Sequence, residues 1–144
     1  GDSPLLQVAS VQALFREYET DRPACVLGTL HKDDPSGLGR IVRDAAGQFA
    51  AIVEEKDASS DQRTITEVNM STYIFEAGKL VRALDAIQNA NRQGEYYVTD
   101  CPGILQAWGE TVRALPVLQP CEALSINTFN DLAVVEAAME KMGL

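Results

Sequence analysis

The sequence of 144 residues predicts an α/β fold, on three observations. Short apolar runs typical of buried strands alternate along the chain with segments in which apolar residues recur at helical spacing. Hydrophobic residues make up 46% of the chain and charged residues 23%, which is typical of a folded domain and not of a disordered segment. The length suits one domain with a modest core, and no linker, repeat or low-complexity segment divides the chain.

The chain is expected to begin with a helix and a buried strand. Residues 2–19 (DSPLLQVASVQALFREYE) carry apolar side chains at helical spacing, with Ser3 as a favoured N-cap and Pro4 in the first turn. Residues 24–30 (ACVLGTL) form a short apolar run, which indicates a buried strand. The opening GDSP resembles a strand-to-helix turn, so we expect the first strands of the domain to lie upstream of these residues.

A hairpin, a further strand and a second helix are predicted in the middle of the chain. The hairpin pairs Arg40–Arg43 with Phe49–Glu54 around a polar turn that ends in glycine. Residues 67–75 (EVNMSTYIF) predict the next strand, and residues 76–90 a helix with apolar residues on one face. This order of elements extends the alternation on which the fold class rests.

Two helices and a strand complete the prediction. Residues 97–109 indicate a helix that begins near Thr99, and residues 110–118 indicate a strand. The [ST]-x-x-[DE] capping pattern at Thr128 and Asp131 predicts the start of the last helix.

Charge and residue usage exclude several functions. A formal charge of −9 argues against a nucleic-acid partner, which requires surplus Lys and Arg. No apolar run approaches the ~18 residues of a membrane span. With His31 as the single histidine, the cysteines Cys25, Cys101 and Cys121 lack the spacing of a zinc site or the partner of a Cys-His nucleophile. They indicate free thiols in a reducing compartment, which predicts a cytoplasmic location.

Asp2 and Asn127 each stand one residue before an expected helix cap, so neither side chain is needed to cap the helix that follows. Ligands of α/β proteins gather where strands end and helices begin. Two oxygen donors at such turns can hold Mg²⁺, which takes few protein ligands together with phosphate oxygens and water. The alternative is that both are ordinary turn residues.

Further candidates lie in and around the predicted hairpin. Gly39 permits close backbone approach of a ligand, although it also suits a turn. Alternation places Glu54 and Lys56 on one face of the strand end and Glu55 on the other, where they can equally form a solvated charge cluster. Asn69 is unusual within a strand, and a ligand could supply the hydrogen bonds that a buried amide requires.

The order and spacing of these motifs resemble a known family. The segments GDSPLL, DPSGLGRIVRD, IVEEKDASSDQRTITEVN, QGEYYVTD and SINTFNDL are similar to the sugar-phosphate nucleotidyltransferases, and among them to the bacterial N-acetylglucosamine-1-phosphate uridyltransferases. The resemblance spans almost the whole chain. It implies a partial Rossmann-like nucleotidyltransferase domain with a mixed sheet, of which residues 1–144 are the C-terminal portion.

The resemblance also implies roles for individual residues. Asp2 and Asn127 are expected to bind Mg²⁺. Gly39 is expected to contact the sugar nucleotide through its backbone, Glu54 and Asn69 to bind the N-acetylglucosamine, and Thr99 to border the same sugar. Lys56 is expected to make a catalytic contact with the phosphate. The implied reaction transfers a uridylyl group from UTP to N-acetylglucosamine 1-phosphate and gives UDP-N-acetylglucosamine. Positioning and charge neutralisation carry such a transfer, so a chain with one histidine is compatible with it.

The sequence departs from the family in three places. Met70 and Ser71 stand where the family has a small residue and then glycine, which predicts crowding of the N-acetyl pocket or a changed sugar. INTFND lacks the arginine that the family commonly has there. The family's glycine-rich triphosphate loop, of the G-x-G-T-x-M kind, is not in these residues.

We therefore expect this chain alone not to catalyse the transfer. A non-catalytic module that binds a sugar nucleotide or serves in assembly is the alternative function. A sheet without its first strands would also expose an edge, which predicts self-association of the chain.

Overall fold

A computed structural model describes residues 3–144 and shows a mixed α/β fold around one open sheet. The strands are β1 (Cys25–His31), β2 (Arg40–Arg43), β3 (Phe49–Val53), β4 (Glu67–Phe75) and β5 (Val112–Leu115), in the spatial order β3-β2-β4-β1-β5. β1 pairs antiparallel with β4 and parallel with β5, while β2 and β3 form an antiparallel hairpin. The sheet is therefore mixed, and the fold class predicted from the sequence is confirmed.

The helices are α1 (Val8–Asp21), α2 (Ser60–Arg63), α3 (Ala77–Leu84), α4 (Cys101–Ala107) and α5 (Phe129–Met142). Single 3₁₀ turns span Val98–Asp100, just before α4, and Pro120–Ala123, between β5 and α5. Helices α3 and α4 pack on each other, and α4 also packs on β3 and β5.

The hairpin pairs with the rest of the sheet over only a short stretch. It pairs with β4 only at Arg40 and Val68, with a further bond from the Asn69 amide to the Gly39 carbonyl at 2.8 Å. Beyond this point β2 diverges, and the Arg43 guanidinium donates to the Ala114 carbonyl of β5 at 2.9 Å. The hairpin thus lies close to the opposite edge strand and, together with α4, borders a common space.

Two clusters of buried apolar residues stabilise the sheet. The larger contains residues of β1, the hairpin, α3, α4 and β5, among them Leu27, Phe49 and Leu105. The smaller is formed by Leu30, Val68 and Leu118. All three cysteines are free thiols. Cys25 and Cys101 are buried in the larger cluster and Cys121 is half-buried.

Two predicted helix boundaries were wrong. Helix α1 begins at Val8 and not at Ser3, because residues 4–5 form a turn and the buried Glu122 carboxylate accepts the Gln7 amide at 2.9 Å. Helix α3 ends at Leu84 and does not continue to residue 90. Helix α4 begins at Cys101, where it continues the 3₁₀ turn Val98–Asp100, in agreement with the predicted start near Thr99.

Within residues 3–144, β4 is paired along one side by β1, but along its other side β2 pairs with it only at Val68. Much of that side of β4 therefore has no strand partner in the described residues. Self-association through an exposed edge stays a prediction. Within the same described residues, no helix is long and apolar enough to cross a bilayer.

Candidate functional site

Glu54 and Thr99 are brought together although they are far apart in sequence. Glu54 directly follows β3, and Thr99 lies in the 3₁₀ turn before α4. The Thr99 hydroxyl donates to the Glu54 carboxylate at 2.8 Å. Because α4 packs on β3, its N-terminal turn is held against the strand end. Tertiary packing therefore joins two residues that the family resemblance assigned to the same sugar.

Gly39 lies directly against this pair. It is buried, and a Cβ built at Gly39 would lie 3.1 Å from Ile52 Cγ2 and 3.3 Å from Glu54 Oε1. Such a contact is tighter than most real Cβ contacts, so a larger residue would press on the Glu54 carboxylate. The absence of a side chain at Gly39 thus leaves room for the Glu54 carboxylate.

Asn69 connects to the same group through the backbone. Its amide donates to the Gly39 carbonyl at 2.8 Å, and its side chain is buried with a residual exposure of 5%. The side-chain oxygen accepts from the Ser71 amide at 3.1 Å and from the Tyr73 hydroxyl at 2.9 Å. The structure thus links Asn69, Gly39, Glu54 and Thr99 into one continuous chain of contacts.

A cavity of about 560 Å³ opens beside this group. Glu54, Tyr97 and Thr99 line it on the polar side, and Ile52 and Ile104 supply apolar wall. A volume of this size is within the usual range for small-molecule sites, which also combine apolar walls with a few polar groups.

Two further carboxyl groups, Asp57 and Asp100, line the cavity with Glu54. Burial raises the pKa of the Asp100 carboxyl above its ordinary value, and the charges of Glu54 and Asp57 raise it further. Within residues 3–144 no group of His, Cys, Asp or Glu is arranged to hold a metal ion, these three carboxyls included. Neither aspartate was predicted as a site residue, although Asp57 lies in the IVEEKD stretch and Asp100 ends the QGEYYVTD stretch of the resemblance.

Lys56 is placed near the cavity but does not line it. It is exposed, and its ammonium donates to the Gln93 side chain, whose amide nitrogen donates to the Tyr97 hydroxyl. The side chains of Glu54 and Glu55 diverge as the alternation predicted. Glu54 faces Thr99, whereas Glu55 forms an ion pair of 2.6 Å with the buried Arg40.

Of the two predicted metal ligands, Asp2 and Asn127, the structure describes only Asn127. Asp2 lies outside the described residues. Asn127 is exposed just before α5, where its amide nitrogen donates to the Ser125 hydroxyl at 3.1 Å. This bond leaves the Asn127 carbonyl oxygen available, and a hard oxygen donor of this kind suits Mg²⁺.

Comparison with known proteins decides the family. Over 140 residues the chain is 46% identical to the bifunctional protein GlmU of Heliobacterium modesticaldum, a match that covers 97% of this chain and 31% of that relative. The bifunctional GlmU proteins of Shouchella clausii and Bacillus subtilis are 41% and 38% identical over 141 residues, again with 98% of this chain and 31% of the relative covered. Over this stretch the chain belongs to the GlmU family. No protein-family model matches it.

Membership of the GlmU family confirms the resemblance inferred from the motifs. The chain spans about a third of the length of these GlmU relatives, 31% in each of the three cases. What a complete GlmU protein does therefore enters only as a proposal for this chain.

Proposed function

We propose that this chain supplies the sugar-binding part of a uridylyltransferase site, at which N-acetylglucosamine 1-phosphate and UTP are joined to UDP-N-acetylglucosamine. The observation that supports the proposal is the connected group of Asn69, Gly39, Glu54 and Thr99 beside a cavity of about 560 Å³. These are the residues that the family resemblance assigned to the sugar nucleotide. Their convergence is not required by their positions in the sequence.

The polar groups of the site suit a sugar. The two carboxyl oxygens of Glu54 can accept hydrogen bonds from sugar hydroxyl or amide groups. The Thr99 hydroxyl, which donates to Glu54, can turn to donate to or accept from the ligand. Gly39 is buried, and its lack of a side chain leaves room beside the Glu54 carboxylate.

In the proposed reaction, a phosphate oxygen of the sugar phosphate attacks the α-phosphorus of UTP. A new P–O bond forms, the bond between the α-phosphorus and the bridging oxygen to the β-phosphorus breaks, and pyrophosphate leaves. The attacking phosphate is already ionised near neutral pH, so no side chain has to remove a proton from it. Binding in line with the α-phosphorus is the contribution that the sugar-binding residues make.

Asp2 and Asn127 are the proposed magnesium ligands, and Lys56 the proposed phosphate contact. Bound Mg²⁺ would neutralise charge on the phosphate oxygens. For Lys56, the ammonium would have to leave Gln93 to reach a phosphate, which its flexible stem permits.

Calorimetric titration with UDP-N-acetylglucosamine and MgCl₂ tests the proposal. Glu54→Gln, Asn69→Ala and Thr99→Val are each expected to weaken binding roughly tenfold or more, because each removes a hydrogen-bonding group of the connected site. Glu136→Gln and Asn130→Ala, both exposed on α5, are the matched controls and should bind like the wild type. Chelation of magnesium should weaken binding as well.

Two results would contradict the proposal: no binding by the wild type, or equal binding by the wild type and the site variants. A separate assay for pyrophosphate release from UTP and N-acetylglucosamine 1-phosphate distinguishes the alternative function. Site-dependent binding without turnover supports a non-catalytic sugar-nucleotide module, an alternative that the NMS departure at residues 69–71 favours.

A further inference from the structure

Only the oxygen of the Asn69 side-chain amide is hydrogen-bonded within residues 3–144. Its oxygen Oδ1 accepts from the Ser71 backbone amide at 3.1 Å and from the Tyr73 hydroxyl at 2.9 Å. Its nitrogen Nδ2 makes no hydrogen bond to any of residues 3–144. The two ends of this amide therefore have different roles.

The backbone amide of Ser71 decides which end is which. An N–H group can only donate, so the atom facing it has to be the carbonyl oxygen of Asn69 and not its NH₂ group. The carbonyl oxygen has two acceptor sites, and Ser71 and Tyr73 occupy both. Any ligand that Asn69 contacts is consequently left with the Nδ2 donor.

A bulge in β4 produces this arrangement. Gly28 of β1 pairs with Thr72, but Thr29 pairs with Asn69, so Met70 and Ser71 are extra residues on β4. Ser71 has a φ of 52°, which turns its amide back toward the Asn69 side chain. Bulges commonly redirect side chains next to functional sites.

The position of the Tyr73 hydroxyl is determined by packing. The ring packs against the larger core cluster, and its centroid lies 5.4 Å from that of Phe75. Burial raises the pKa of the Tyr73 hydroxyl, and the charge of Glu54 raises it further, so the hydroxyl stays protonated and donates.

We infer that Tyr73 is a positioning residue, whose hydroxyl, with the Ser71 amide, holds Asn69 Oδ1 so that Asn69 binds a ligand only through Nδ2. The ligand group it selects is then an oxygen acceptor, such as an acyl carbonyl or a hydroxyl oxygen of a sugar. This inference rests on the proposed function, because it assumes that Asn69 contacts the sugar nucleotide.

A double-mutant cycle tests the inference in the 144-residue chain. UDP-N-acetylglucosamine is titrated by calorimetry into the wild type, Tyr73→Phe, Asn69→Ala and the double variant. Tyr73→Phe is expected to weaken binding roughly three- to tenfold, as for one lost hydrogen bond. In the Asn69→Ala background the same change should have no effect, because its only route to the ligand is gone.

Tyr18→Phe is the matched control, since Tyr18 is half-buried on α1 and its hydroxyl bonds to none of residues 3–144. It should leave binding unchanged in both backgrounds. A loss of affinity from Tyr73→Phe that is equal in both backgrounds would show a general structural effect and overturn the inference. So would an unchanged affinity in the wild-type background.

A second measurement separates this inference from the proposed function. If the wild type does not bind the sugar nucleotide, the proposed function fails, and the positioning role is judged from the NMR signals of the Asn69 side-chain amide. In Tyr73→Phe the Nδ2 and Hδ2 signals are expected to shift and broaden as the amide becomes mobile, while Tyr18→Phe leaves them unchanged. Identical signals in Tyr73→Phe and the wild type would refute the role.

Discussion

The backbone angle of Ser71 explains why the family has glycine at this position of the motif. The resemblance places glycine at this position in the family, and the φ of 52° explains the preference, since left-handed backbone favours a residue without Cβ. Met70, the other unusual residue of NMS, packs against the smaller core cluster. Met70 is therefore packed in the core, whereas the sequence had predicted that it crowds the N-acetyl pocket.

Replacing Ser71 with glycine is expected to stabilise the protein. Ser71→Gly removes the Cβ strain of left-handed backbone, and this gain exceeds the entropy that glycine adds to the unfolded chain, so the free energy of unfolding should rise by about 0.5–1 kcal/mol. Ser60→Gly at the start of α2 is the control, because helical backbone there gains nothing and the free energy should fall. Urea unfolding measures both, and a fall in both variants would contradict the prediction.

At the scale of elements, the residue at which a helix begins depends on which groups accept hydrogen bonds from its first backbone amides. Helix α5 is capped locally: the Thr128 side chain accepts from the Asp131 amide at 3.2 Å, and Asp131 bonds back to the Thr128 amide at 2.8 Å. The sequence predicted this cap correctly, because both residues belong to one short motif. Helix α1 is different, since the group that accepts the Gln7 amide is Glu122, 115 positions away.

Glu122 is expected to be the main polar link between the start of α1 and the segment before α5. Glu122 is exposed by only 4%, and its carboxylate accepts from the Gln7 amide at 2.9 Å, the Ser10 hydroxyl at 2.7 Å and the Gln119 amide at 2.6 Å. Glu122→Ala leaves these donors without their acceptor and should lower the free energy of unfolding by roughly 2–4 kcal/mol.

Glu136→Ala, an exposed change on α5, serves as its control and should stay within about 0.5 kcal/mol of the wild type. Thermal or urea unfolding of the two variants provides the comparison. Similar small effects of both changes would show that water readily replaces the Glu122 carboxylate.

At the scale of the whole molecule, one buried carboxylate ties the hairpin to the rest of the sheet. Glu67 of β4 accepts from the Thr29 hydroxyl of β1 at 2.6 Å and from two guanidinium nitrogens of Arg43 at 2.7 Å. Arg43 in turn donates to the Ala114 carbonyl of β5. Since the hairpin has only a short backbone pairing with β4, this network contributes much of its attachment.

The network predicts that acid weakens the fold. Burial alone would raise the pKa of the Glu67 carboxyl, but the hydrogen bonds from Arg43 and Thr29 outweigh it, so the pKa lies below its ordinary value of 4.5. The unfolded chain then takes up the proton more readily than the folded one. The stabilisation is complete above the ordinary pKa and is lost as the pH falls through the folded value.

Urea unfolding of the wild type and Glu67→Gln between about pH 7 and about pH 3 tests this expectation. The wild type should be the more stable protein near neutrality, and its advantage should shrink in acid, because the variant has no carboxyl to protonate at this position. An advantage that stays constant over the whole range would show that Glu67 is not the titrating group.

Some residues of the candidate site could be predicted from the sequence, and others are identified only by the structure. Gly39, Glu54, Asn69 and Thr99 could be chosen from the sequence because each belongs to a short motif that resembles a family. Asp57 and Asp100 lie in the same motifs, but nothing in the sequence indicates that they line a cavity. Tyr73 lies outside the motifs, and a tyrosine has the same appearance in the sequence whether it positions another side chain or faces solvent.

The sequence by itself determined the fold class, the hairpin, the bounds of β4 and the cap of α5, since these depend on periodicity and short-range hydrogen bonds. Only the tertiary structure decided where α1 begins, that the hairpin reaches β5, and how the Asn69 amide is turned. Each of these is set by a contact whose energy depends on a partner or a backbone angle that appears only after the chain has folded.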